Sequence, residues 1–160
     1  MTTLYVREGN EFREASAQHV LARANALIAQ RFRAGAPVLS SPHRTQEFLR
    51  FRLGPLEHEV FVGLFLDSRC RLIEYVELFR GTIDGASVHP REVIKEALAR
   101  NAAGLVIAHC HPSGNPTPSQ ADELITRQLK ECLALFQIRL HDHLIVAGPS
   151  VVSMAEKGLI

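Results

Sequence analysis

Two histidines two positions apart, His109 and His111, are followed after seven intervening residues by Ser119 and after two more by Asp122. If the chain is extended at the pair, both imidazoles leave one face about 7 Å apart and can turn onto a single ion. Zinc takes imidazole nitrogen at roughly 2.0 to 2.1 Å, accepts a carboxylate as a further ligand, and keeps one position open for water in a catalytic site. Asp122 is the candidate third ligand, because the first turn of a helix favours an ionised carboxylate. Amide hydrolysis by an activated water also needs a base that takes the proton and passes it to the leaving nitrogen. Glu59, immediately before the apolar run VFVGLFLD, is the candidate base, and Glu57 competes with it.

Each of these residues has a plainer explanation. SQAD, residues 119 to 122, fits the capping pattern in which a serine and an acid satisfy the free amides of a helix start. Either glutamate is also an ordinary solvated charge at a strand start. A second pair, His141 and His143 around Asp142, has no further acid until Glu156. The first pair differs in its downstream sequence: CHPSGNPTP, residues 110 to 118, is too rich in proline and glycine for a regular element and forms a loop of fixed shape.

The elements that must position these residues can be placed along the chain. GLVIAH (104 to 109) is a strand, and Ser119 opens a helix running to about 136 with Leu124, Ile125, Leu129, Cys132, Leu133 and Phe136 inward. VFVGLFLD (60 to 67) and RLIEYVELFRG (71 to 81) form a hairpin of buried strands. REVIKEALARNA (91 to 102) is a helix with Pro90 in or near its first turn and Val93, Ile94, Ala97 and Leu98 on one face. IRLHDHLIVAG and VVSM close the chain as strands. Upstream, residues 14 to 32 form a helix with Val20, Ala24, Leu27 and Ile28 at helical spacing. A linker near residue 36 comes next, and Ser41 before Pro42 starts another helix.

With 160 residues and 46% hydrophobic content, one core is the default. The net charge of +1 excludes a global attraction to nucleic acid or acidic membrane. Arg31, Arg33, Arg44, Arg50 and Arg52, with Glu47 among them, form a local basic patch that reads as a solvated helix face. No apolar run approaches the ~18 residues a membrane span needs, and the start lacks the pattern of a secretory leader. Cys70, Cys110 and Cys132 form no CxxC pair, which fits a reducing cytoplasm. The HxE and PCxxC signature of zinc deaminases is absent.

The series Glu59, His109, His111, Ser119 and Asp122 matches the JAMM signature of JAB/MPN-type metalloproteases, E…HxHx7Sx2D. The stretches LFRGTIDGASVHPREVIKEAL, HCHPSGNPTPSQAD and DHLIV resemble the bacterial RadC family, over about residues 37 to 160. This resemblance implies an α/β fold, a three-layer α/β/α sandwich with a mixed sheet like that of cytidine deaminases. Residues 1 to 36 would precede the domain as a helical segment and linker. It implies Zn2+ held by His109, His111 and Asp122, with Glu59 as general base and then acid. Ser119 would hydrogen-bond the oxyanion or the attacking water.

The implied function is zinc-dependent hydrolysis of a peptide or isopeptide amide in an unknown peptide or protein. RadC proteins are labelled DNA repair proteins, which implies an alternative: a repair or recombination accessory that engages DNA or a DNA-processing protein. Longer RadC proteins carry an N-terminal helix-hairpin-helix region, and this chain resembles short prophage-borne forms without it. Where the family usually has Asn between the paired histidines, this chain has Cys110. Alternation points Cys110 away from the ion, whereas a twist at the strand end would offer it as a soft ligand.

Overall fold

The computed structural model describes residues 3–9, 11–31, 42–81 and 88–160. Its centre is a mixed five-stranded sheet in the order β4-β3-β5-β6-β7. The strands are β3 (Val60–Leu66), β4 (Leu72–Arg80), β5 (Gly104–Cys110), β6 (Arg139–Ala147) and β7 (Ser150–Ser153). Only β5 and β6 run parallel; the other neighbours are antiparallel. A parallel pair needs a crossover, and α4 (Gln120–Leu135) supplies it.

The runs in β3 and β5 are continuously apolar because both faces of the sheet are covered. On one face Phe48, Leu49 and Leu53 of α2 (Pro42–Leu53) pack on Val62, Leu64, Val106, Leu144 and Val146. On the other, Val93 and Ala97 of α3 (Pro90–Ala99) join Leu129 and Leu133 of α4 over Phe61, Phe65, Leu105 and Ile107. The fold is therefore α/β, with helices in layers on both sides of a mixed sheet. His89 occupies the N-cap of α3 without a side-chain cap bond, and its ring meets Phe79 edge-on instead.

The inward face of α4 differs from the expected stripe. Leu124 and Phe136 are exposed, and Asp122, Thr126, Leu129 and Leu133 are buried. The helix is rolled so that two polar side chains, one turn apart, face the end of β5. Leu98 of α3 is likewise exposed, as are Val20 and Leu27 of α1 (Ala17–Arg31). Residues 1 to 36 were expected to hold a helical segment and a linker; α1 is that helix, and ahead of it an additional hairpin forms from β1 (Tyr5–Glu8) and β2 (Glu11–Glu14). Gly9 in its turn has φ +64°, a left-handed conformation that glycine adopts without penalty. The linker near residue 36 and the helix-start signal at Ser41 lie outside the described residues.

No helix among the described residues is long and apolar enough to cross a membrane.

Candidate metal centre

The site lies where β5 hands over to the loop 111–118. His109 is the penultimate residue of β5, paired with Phe61 of β3, whose ring is stacked against the imidazole at 6.1 Å. His111 continues the ladder by one residue, its N–H donating to the Val146 carbonyl at 2.8 Å. Alternation then puts both imidazoles on the α4 side of the sheet, with ring centroids 4.7 Å apart. Their Nε2 atoms stand 2.8 Å from each other.

The intervening Cys110 goes the other way. Its thiol donates to the His58 carbonyl at 3.3 Å and packs among the buried residues beneath α2. Burial pushes the thiol pKa up. It therefore stands apart from the convergent nitrogens.

Asp122 closes the group from the first turn of α4, with Oδ1 3.0 Å from His109 Nε2 and Oδ2 3.6 Å from His111 Nε2. The helix cap is also made. Ser119 N donates to Asp122 Oδ2 at 2.7 Å, the Ser119 hydroxyl donates to the same oxygen at 2.6 Å, and Asp122 N donates to Ser119 Oγ at 3.1 Å. The capping and ligand readings of SQAD are compatible, because Oδ2 is held by the cap while Oδ1 faces the histidines. Burial pushes the Asp122 carboxyl up, but hydrogen bonds with His109, His111 and Ser119 outweigh it and hold the group well below the usual carboxylate range. His111 is shifted upward, chiefly by its contact with that carboxylate and against the opposing effect of burial.

Glu59 completes the ring of donors. It directly precedes β3 and is fixed by its carbonyl, which accepts from Gly81 N at 2.8 Å. Glu59, His109 and His111 each present a ligand atom within 4.8 Å of the others. Asp122 lies outside that trio yet approaches both nitrogens more closely than 4.8 Å, so each carboxylate borders the histidine pair. Glu57 is exposed and outside the cluster, which removes it as the competitor. Glu59, His111, Asn115 and Ser119 line an open cleft of about 300 Å³.

Hydrogen-bond direction makes this arrangement suited to a cation. His111 Nδ1 lies 2.7 Å from the Asn115 carbonyl, which can only accept, so Nδ1 carries a proton and Nε2 is the nitrogen left to give a lone pair to a cation. The two nitrogens and the Asp122 carboxylate then crowd one volume, at separations of 2.8 to 3.6 Å, and around a tetrahedral ion such ligands would stand about 3.3 Å apart. The donor set, two imidazoles and one carboxylate with a second carboxylate nearby, fits zinc.

Sequence reasoning gave no role to Thr126 or His143, and both are buried behind the site. His109 Nδ1 is 2.8 Å from His143 Nε2, and His143 Nδ1 is 2.6 Å from Thr126 Oγ1. Burial, first of all, pushes the His143 pKa well below the ordinary imidazole value. The available signals were the polar Thr126 within the apolar stripe of α4, one turn after Asp122, and the place of His143 in DHLIV, one of the stretches that resemble the RadC family. Of the basic patch, Arg44 and Arg50 are exposed on α2, and Arg52 lies over the rings of Tyr75 and Phe48.

The fold and the convergent His, His, Asp and Glu side chains define an α/β domain with a candidate metal centre at the end of a central strand. The family model described as RadC-like JAB domain matches residues 39–159, and the chain belongs to that family. Its relatives include a UPF0758 protein of Marinobacter nauticus, 52% identical over 146 residues, covering 91% of this chain and 65% of that one. A UPF0758 protein of Vibrio cholerae is 53% identical over 139 residues, covering 87% of each. One of Thioalkalivibrio sulfidiphilus is 59% identical over 122 residues, covering 76% of this chain and 54% of that one. The chain thus spans about two thirds or less of two of these three relatives.

Proposed function

We propose that the domain is a zinc-dependent hydrolase of the JAMM type, acting on a peptide or isopeptide amide. The observation that carries this reading is the crowding of His109 Nε2, His111 Nε2 and an Asp122 carboxylate oxygen around one point beside Glu59. Such a group is repulsive in its deprotonated form and is reconciled by a divalent cation. His109, His111 and Asp122 would hold the ion. Once bound, zinc polarises a carbonyl and lowers the pKa of water.

The protein groups do the rest. Glu59 stands at the mouth of the cleft, free to take a proton from the attacking water and return it to the leaving nitrogen. Ser119 Oγ lines the same cleft, and its hydroxyl would turn from Asp122 Oδ2, which the Ser119 amide still holds, to the substrate oxygen as charge develops there. Asp122 Oδ2 remains tied to the helix cap, which fixes the plane of the carboxylate without using Oδ1. The Asn115 carbonyl fixes the ring of His111.

The test is metal content after zinc loading, together with turnover of peptide and isopeptide substrates. One zinc per chain, lost in Asp122→Ala, with turnover abolished in Glu59→Gln, is the expected result. Substoichiometric metal in the loaded protein, unchanged by Asp122→Ala, would sink the proposal.

A further inference from the structure

We infer that Thr126 and His143 are positioning residues that set the tautomer of His109, so that the side chain is prepared for a cation before one arrives. This deepens the metal reading above and rests on it.

At the far end of the chain of contacts, hydrogen-bond direction is forced. Thr126 Oγ1 is hydrogen-bonded to the backbone carbonyl of Asp122, one turn earlier in α4. A carbonyl only accepts, so the hydroxyl proton is committed to it, and towards His143 Nδ1 the oxygen can only accept. His143 is wholly buried, and its ring nitrogens meet only the Thr126 hydroxyl and the His109 imidazole, an uncharged setting in which a buried cation would be costly. Its single proton therefore sits on Nδ1, leaving Nε2 as an acceptor. At 2.8 Å from that acceptor, His109 Nδ1 must donate. With Nδ1 committed to His143, Nε2, which faces Asp122 Oδ1 and His111, is the nitrogen left to give its lone pair to a cation.

The contacts close a ring. They begin at the Asp122 carbonyl, pass through Thr126, His143 and His109, and return to the Asp122 carboxylate, so one residue of α4 anchors both ends. Phe61 shields this ring, stacking on His109 and meeting His143 edge-on at 5.6 Å. Water has little access to scramble the protons. Met154 Sδ, 3.7 Å from Thr126 Oγ1, is a weak acceptor and offers His143 no alternative donor.

Removing the hydroxyl reverses the pattern. In Thr126→Val, His143 Nδ1 loses its acceptor, the ring is free to carry its proton on Nε2, and it then donates to His109 Nδ1. That pushes the His109 proton to Nε2, onto the ligand position. Supporting partners of metal-bound histidines typically account for roughly 10- to 100-fold in metal affinity. Thr126→Ser keeps the hydroxyl and should restore the native pattern.

The experiment has two readouts on the full chain. Histidine ring 15N–1H correlation spectra of the metal-free protein report the protonated nitrogen directly, and competition for Zn2+ against a chromophoric chelator reports affinity. The expected result is protonated Nδ1 on both His109 and His143 in the native protein and in Thr126→Ser. Thr126→Val should lose the Nδ1 proton of His109 and bind zinc roughly 10- to 100-fold more weakly. A native His143 protonated on Nε2, or a His109 lacking its Nδ1 proton, overturns the inference, and this holds even if Thr126→Val fails to fold. Zinc binding and tautomers unchanged in folded Thr126→Val overturn it as well. If the native protein binds no zinc, the metal reading fails, while the tautomer spectra still decide whether the relay exists.

Discussion

The chain contains the same short pattern twice, histidine, one residue, histidine, and the fold treats the two copies differently. At His109 and His111 the ladder is regular, alternation holds, and both rings fall on the α4 side with their Nε2 atoms 2.8 Å apart. At His141 and His143 the register between β5 and β6 slips: Leu105 pairs with Leu140, and Val106 with Asp142. His141 is the extra residue of a bulge, which redirects its side chain. It packs over Gly104 and lines a cavity with Thr45 and Ser153, whereas His143 turns inward to Thr126 and His109. The acid between the second pair is also occupied, because Asp142 Oδ1 accepts from the backbone amides of His143 and Ala155, and Oδ2 from Ser153. Residue spacing specifies a site only where the local backbone is regular. The second copy became a support for the first.

This contrast can be broken by mutation, beginning with the strongest effect. His111→Ala should reduce zinc affinity by more than the roughly 100-fold seen for supporting partners, and His141→Ala should leave it unchanged, both measured by chelator competition. Equal losses from both would erase the distinction between the pairs. Next in size, Glu59→Gln should keep its zinc while turnover falls by about 10²- to 10⁴-fold, the usual contribution of a positioned base. Ser119→Ala should lower turnover by about 10²-fold, and thermal or denaturant unfolding should also show a loss of about 1 kcal/mol from the helix cap. The smallest effect belongs to Gly104→Ala, whose new Cβ would meet His141 Nε2 at 2.5 Å. The imidazole has the adjoining cavity of about 200 Å³ to move into, so the cost should stay below about 1 kcal/mol with zinc affinity intact.

Much of this was legible in the sequence, for identifiable reasons. Continuous apolar runs marked β3 and β5, the prolines and glycine of residues 110 to 118 marked the loop, and the spacing from His109 to Asp122 marked the convergence. Whether Ser119 and Asp122 form a cap or a site was open only while the two readings were treated as exclusive; a carboxylate has two oxygens, and the structure uses both. Three features were less visible. The first hairpin rests on four-residue strands, too short for alternation to stand out beside the stronger helical pattern of α1. The roll of α4 follows from polar contacts of Asp122 and Thr126, which hydrophobic periodicity does not weigh. The bulge at His141 depends on pairing with a strand more than thirty residues earlier in the chain.

The most direct measurement is anomalous diffraction at the zinc edge from crystals grown or soaked with Zn2+. The account predicts one peak per chain, about 2.1 Å from His109 Nε2, His111 Nε2 and an Asp122 carboxylate oxygen, and none beside His141 or His143. No peak among those three groups, or a peak held by the second histidine pair, would contradict it.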